Sequence, residues 1–353
     1  MSIQCLKDKM KESGAAALVL SEENLLYFTG FHTSNGVLLV TGETACFFTD
    51  GRYIEAAQQK ITACDEVLLL HTFDESVLPQ ISKLQAATIL AEGERLSFSR
   101  VQKLKEKLTI PVVTDQLDAI IRDIRAIKTQ AQAEKIIRAQ RIAEQALLQL
   151  KPRIKIGACE RLLALELDYT MLRLGAQALS FETILVSGKN SSLPHGVPTD
   201  RCIERGDFVT IDFGAVFDGY HSDMTRTFAV GEISDKQREV YNTVLRAQCA
   251  GIEAIRPGKS CKEIDAVSRN VISKAGFEAY FTHSLGHGVG VEIHEPPYLS
   301  PRSEEILQTG NVVTVEPGIY LPGEFGVRIE DMGIVTETGY LNFTEAPKEL
   351  EIL

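Results

Sequence analysis

The chain reads as a two-domain α/β (α+β) protein, with a small N-terminal α/β domain over residues 1–125 and a larger domain over 126–353. Three observations predict this. Short β-rich runs alternate with helical periodicity in the first third, a long amphipathic pattern begins just past residue 126, and a weak internal repeat fills the remainder. With 353 residues and 44 % apolar side chains, the chain can bury two cores.

In the first domain, residues 15–20, 36–40 and 45–49 are short β-rich runs bounded by Gly, Asn or Asp, as strands are. Helical spacing follows over 53–60 and 98–108. His32 and His71 stand alone, too isolated for metal ligation. Residues 131–150 place apolar side chains at helical spacing. Beyond them Lys151-Pro152, Gly157, Glu160 and Gly175 are echoed by Arg256-Pro257, Gly258, Glu263 and Gly276. The glycines run from 157 to 175 and from 258 to 276, 18 residues in each copy. The second copy follows a helical pattern over 234–255, with Ser234 or Asp235 at its N-cap. Two helix–Pro–helix–strand halves are expected, related by a pseudo-two-fold axis and enclosing a site between facing sheets. Strand-like residues 208–214 and 224–230 flank Asp218-Gly219, a hairpin signal, and 311–320 and 326–335 read the same way.

Charge and cysteine usage narrow the function. Forty-eight acidic against 37 basic residues leave a net charge of −11, which repels a phosphate backbone, so no nucleic-acid partner is expected. Nowhere do about 18 apolar residues run together, and the start carries no signal-peptide core, so neither membrane insertion nor export is expected and a cytoplasmic location is. The seven cysteines are odd in number, scattered and never in Cys-x-x-Cys spacing. They read as buried reduced thiols rather than a redox pair or zinc knuckle.

Carboxylates inside apolar strands are expensive unless paired or bound to a cation. Asp212 sits in Val-Thr-Ile-Asp-Phe-Gly, Asp223 follows the Asp-Gly turn, Glu316 ends Val-Val-Thr-Val-Glu, and Glu330 ends Gly-Val-Arg-Ile-Glu. Five of the seven histidines (195, 221, 283, 287 and 294) fall between residues 195 and 294. Glycines flank His287 in Gly-His-Gly-Val-Gly and let backbone approach closely there. Four carboxylates with one imidazole suit two divalent ions about 3.5–4 Å apart, Mn²⁺, Co²⁺, Fe²⁺ or Zn²⁺.

The set Asp212, Asp223, His287, Glu316 and Glu330, within Ile-Asp-Phe-Gly, Ser-Asp-Met-Thr-Arg-Thr, Gly-His-Gly-Val-Gly, Val-Glu-Pro-Gly-Ile-Tyr and Val-Arg-Ile-Glu-Asp, resembles the pita-bread metallopeptidases. Among these it is similar to the Xaa-Pro aminopeptidases and Xaa-Pro dipeptidases (prolidases). Tyr27-Phe-Thr-Gly-Phe and Thr49-Asp-Gly-Arg-Tyr extend the likeness to a creatinase-like N-terminal domain. The resemblance implies a dinuclear metal centre, manganese first, held by those five residues, with Asp223 and Glu330 bridging. It implies Glu316 as proton shuttle, His195 and His294 beside the scissile carbonyl, His283 on the substrate side, and Arg328 as a clamp on a ligand carboxylate. Arg328, two residues before Glu330, is expected on the same strand face. His221 reads as a structural or rim residue and Arg226 as an ion-pair partner. The implied reaction is hydrolysis of the Xaa-Pro bond of short peptides by a homodimer. Tyr298 stands where some prolidases carry an arginine for a dipeptide's carboxylate, which favours an aminopeptidase over a dipeptidase. The rivals are a metal-free creatine amidinohydrolase and a non-peptidase binding protein on the same fold; retention of all five ligand positions disfavours both.

Overall fold

The computed structural model describes residues 2–353, which divide into two compact units, one ending at Arg125 and the other spanning Ala126–Leu353. The first is built on a six-stranded sheet in the spatial order Glu66–Leu69, Ala45–Thr49, Gly36–Val40, Ala16–Val19, Ile89–Ala91, Val112–Val113. Ala16–Val19 pairs antiparallel with Gly36–Val40 and parallel with Ile89–Ala91. Leu18, Val37, Phe48, Ile89 and Leu104 pack its core. Fully buried Glu92 accepts hydrogen bonds from the Leu20 and Ser21 N–H groups, the Ser21 hydroxyl and Asn24.

The second unit realises the repeat. Helix Gln130–Leu150 opens on a Thr129/Gln132 capping box and helix Asp235–Ala254 on a Ser234/Gln237 one, each satisfying two orphan backbone donors. Each is followed by a proline-containing turn and a 14-residue helix, Glu160–Arg173 or Cys261–Lys274. The repeated glycines match in conformation: φ is +85° at Gly157 and +84° at Gly258, then +104° at Gly175 and +84° at Gly276. A side chain there would be strained, which is why the 18-residue interval survives as glycine at both ends. Even the bridges at the helix starts correspond, Cys159 opposite Cys202 and Ser260 opposite Ile306. Each half has its own core, Leu147, Leu163, Leu167 and Ile211 in one and Val244, Ile264, Ile272 and Val313 in the other.

The expected hairpin forms: Asp207–Phe213 pairs antiparallel with Met224–Val230, and at its tip Ala215–Phe217 pairs with Tyr220–His221 across the Asp218-Gly219 turn, in a separate small sheet with Ala178–Leu179. Two expectations are corrected. The segments read as single strands over 311–320 and 326–335 are both broken. Val312–Val315 pairs with Asp331–Val335, and Gly318–Leu321 pairs with Phe325–Arg328. Glu316 and Pro317 fall in one break and Ile329 and Glu330 in the other; Pro317 has no N–H to give a ladder. The thiols are not uniformly buried: Cys261 is, but Cys5 and Cys202 are exposed.

Arg226 ties this unit together. Its guanidinium, almost fully buried, meets Asp331 at 2.8 Å and donates to the carbonyls of Thr225, Glu330, Ala346 and Pro347. The final residues continue the arrangement: Ile352 bridges Ala229 in parallel, and the Leu353 N–H donates to the Ala229 carbonyl at 2.8 Å. Arg226→Met leaves those carbonyls and part of Asp331's charge unmet, and we expect a loss of about 3–5 kcal/mol in urea unfolding. A loss below about 1 kcal/mol would contradict this.

Candidate metal centre

The site assembles from strand pairs whose register decides which side chains meet. Asp212 lies on Asp207–Phe213 and stands opposite Thr225 on Met224–Val230; Asp223 precedes that second strand by one residue. His287 lies on Gly286–Gly288, between Glu295–Leu299 and Val312–Val315. A Cβ on Gly286 would run into the Thr314 backbone, and one on Gly288 into the Glu295 and Pro296 carbonyls, so glycine on both sides of His287 is what lets three strands close on it. The His287 N–H donates to Thr314 Oγ1 at 3.1 Å, and the Thr314 hydroxyl donates to Glu316 Oε1 at 3.1 Å.

These side chains converge. Asp223, His287 and Glu330 present ligand atoms that all lie within 4.8 Å of one another, all three buried. His287 Nε2 is 3.4 Å from Asp223 and 3.3 Å from Glu316. Asp212 accepts Arg328 Nη2 at 2.5 Å. Arg328 and Glu330 do not share a strand face, because the strand ends between them; the clamp lands on Asp212, on a strand of a different sheet. A cleft of about 550 Å³ is lined by His195, His283, His294, Glu316 and Arg328 together with Asp212, Asp223 and His287, with Phe181, Ile184 and Val197 among its apolar walls. Tyr298 lines it too; His221 does not, and its half-buried ring leaves Nδ1 without a partner.

The electrostatics call for positive charge. Burial, reinforced by Asp212 and Glu316, pushes the Asp223 carboxyl up to about 7 against its contact with His287. Burial and the neighbouring Asp223, Glu316 and Asp212 hold Glu330 well above the carboxylate range. Desolvation also raises half-buried Glu316, but its hydrogen bond to His287 outweighs that and holds it near 2. His287 in turn stays well above the usual imidazole value despite burial, through Asp223 and Glu316. Asp212 Oδ1 and Glu330 Oε1 are buried with no hydrogen-bond partner. Two orphaned carboxylate oxygens among mutually repelling acids are what a divalent cation relieves, so the residues fit one. Burial lowers the pKa of His294, with His287 adding to the effect; its ring packs edge-on against His287, centroids 4.3 Å apart.

Three residues given no role from sequence complete the site. Thr225 Oγ1 donates to Glu330 Oε2 at 2.8 Å and accepts from Arg328 Nε at 3.1 Å. The Tyr320 hydroxyl accepts from Arg328 Nη1 at 2.8 Å and meets His283 Nε2 at 2.9 Å. Thr314 joins His287 to Glu316. Thr225 and Tyr320 stand inside the Thr-Arg-Thr and Pro-Gly-Ile-Tyr motifs, so their proximity in sequence to Asp223 and Glu316 was the available signal.

The chain matches the model of metallopeptidase family M24 over residues 134–337 and that of the creatinase/prolidase N-terminal domain over 3–127. It is 42 % identical over 328 residues to the Xaa-Pro dipeptidase of Pyrococcus furiosus, covering 93 % of this chain and 92 % of that one. It is similar to the solved structure of an Xaa-Pro dipeptidase from Bacillus anthracis, with TM-score 0.95 at 40 % identity over 100 % of this chain and 99 % of that one. An X-Pro aminopeptidase from Thermotoga maritima superposes with TM-score 0.91 at 35 % identity over 99 % of each chain.

A cation that offsets this repulsion stabilises the folded chain by mass action. In differential scanning fluorimetry, adding Mn²⁺ to chelator-treated protein should raise Tm by several degrees, and Asp223→Asn should lose most of that rise. Equal rises in both proteins would count against these ligands.

Proposed function

The chain belongs to metallopeptidase family M24, a creatinase N-terminal domain followed by a pita-bread catalytic domain, and on that premise we propose that it is an Xaa-Pro dipeptidase. The observation that carries the reading is the pair of unmet carboxylate oxygens, on Asp212 and Glu330, in the acidic cluster around His287, beside a cleft lined by histidines and apolar side chains. Asp212, Asp223, His287, Glu316 and Glu330 would hold two divalent ions, and the oxygen-rich set favours manganese. When bound, such ions supply Lewis acidity toward a carbonyl and acidify water.

The chain's own groups do the rest. Glu316, an ionised carboxylate, takes the proton of the attacking water and hands it to the leaving prolyl nitrogen, which as a tertiary amide has no proton of its own. His294, held neutral by burial, and His195 line the cleft and donate N–H bonds to the oxygen of the tetrahedral intermediate. His283, set by Tyr320, orients the substrate, and Arg328 fixes the Asp212 carboxylate for ligation. The apolar walls Phe181, Ile184 and Val197 suit a pyrrolidine ring.

Relatives named Xaa-Pro dipeptidase support the dipeptidase over the aminopeptidase expected from Tyr298. One observation favours the aminopeptidase as second reading. Arg328 is the cleft-lining cation among the described residues that carries a permanent charge, and it is already engaged by Asp212, with no lysine or second arginine beside it for a dipeptide's carboxylate.

Turnover of matched peptides separates the two. With Mn²⁺ present, a Xaa-Pro dipeptide should exceed the same dipeptide ending in alanine by at least about ten-fold in kcat/KM, and should exceed the Xaa-Pro-Xaa tripeptide; chelation should abolish both. Preference for the tripeptide would select the aminopeptidase, and chelator-resistant turnover would refute the metal-dependent reading.

A further inference from the structure

We propose that Cys159 and Cys202 form a latent cross-strand disulfide, a thiol modification site at the base of the loop that carries His195. The two residues stand directly opposite each other in an antiparallel bridge. On one side the Glu160 N–H donates to the Arg201 carbonyl at 3.1 Å, and on the other the Ile203 N–H donates to the Ala158 carbonyl at 2.8 Å. That places Cys159 and Cys202 in the non-hydrogen-bonded kind of pair, where opposed Cα atoms lie about 4.5 Å apart and both side chains leave the same face. The separation falls within the roughly 4.4–6.8 Å that a disulfide spans. Cys159 has extended backbone, φ −93° and ψ 134°, and its thiol already reaches across to the Thr199 carbonyl, at 3.6 Å. Cys202 is exposed and Cys159 half-buried, both as free thiols, so a small oxidant can reach them.

The matching half of the repeat shows that the register does not depend on the thiols. There Ser260 faces Ile306 with the same flanking bonds, Cys261 N–H to the Glu305 carbonyl at 3.0 Å and Leu307 N–H to the Lys259 carbonyl at 2.9 Å. The fold sets two side chains opposite each other, and this chain places sulfur on both only in the first half. Glu160, next to Cys159, further holds the segment through the Thr199 N–H at 3.0 Å and the Thr199 hydroxyl at 2.7 Å. Side-chain rotation alone is needed to close the bridge, so its effect is to staple the base of the loop bearing His195, Val197 and Pro198 rather than to move it.

The oxidant is a low-molecular-weight disulfide. One cysteine thiolate attacks it, forming a mixed disulfide and releasing one small thiolate. The second cysteine thiolate attacks the protein sulfur of that mixed disulfide, forming the Sγ–Sγ bond and expelling the other small thiolate. Two protons leave the cysteines and two electrons pass to the reagent, which ends as two thiols.

The test treats the full chain with oxidised glutathione under native conditions, blocks free thiols and maps the digest by mass spectrometry. We expect two of the seven thiols to disappear, a linked peptide containing Cys159 and Cys202, and full reversal by dithiothreitol. The oxidised protein should melt about 5–10 °C higher, since the bridge constrains the unfolded chain. Cys202→Ser should abolish both the link and the shift. A stable glutathione adduct with the other cysteine still free, a bridge between other cysteines, or an unchanged thiol count would overturn the proposal. A link without a rise in Tm would overturn the staple. Neither metal nor peptide hydrolysis enters these readouts, so their failure and that of the peptidase reading are distinguishable.

Discussion

Mutual repulsion among buried carboxylates is the constraint around which the larger unit is organised. Asp212, Asp223, Glu316 and Glu330 crowd around His287 and Arg328, and two of their oxygens find no donor. A fold normally avoids such a cluster, since each unpaired buried charge destabilises it. A divalent cation relieves such a cluster, and the surrounding donors aim the acids rather than neutralise them. Arg328 aims Asp212, Thr225 aims Glu330, and Thr314 aims Glu316.

That purpose explains the broken strands. A regular ladder would send Glu316 and Glu330 to faces fixed by alternation. Interrupting both strands at the same level frees the two carboxylates from that alternation, while pairing resumes on either side: Val315 still meets Asp331, and Gly318 still meets Arg328. Asp331, one residue past Glu330, anchors the break through Arg226, Gln248, Asn342 and Lys348. The paired ends hold position and the gap between them supplies geometry.

Much of this was legible from residues alone, and the reasons differ by feature. The repeat showed because glycines at 157, 175, 258 and 276 are demanded by positive φ, a local requirement that leaves a fixed residue type at a fixed interval. The metal-ligand candidates showed because acids in apolar runs are anomalous wherever they occur. What stayed hidden depended on contacts across long separations. The strand breaks involve pairing partners rather than composition; Pro317 alone hinted at one. The roles of Thr225 and Tyr320 lie in hydrogen bonds across 105 and 37 residues, to Glu330 and His283. Cys159 and Cys202 look unrelated along the chain and become neighbours only when the bridge at the start of helix Glu160–Arg173 forms.

The attachment of the C-terminal segment to strand Met224–Val230 carries a practical lesson for anyone handling the protein. Ile352 and Leu353 are laced to Ala229, and the carbonyls of Ala346 and Pro347 cradle the guanidinium that steadies the Glu330 break. A substitution that unseats Ile352 or Leu353 would load a strand that leads straight back to Asp223.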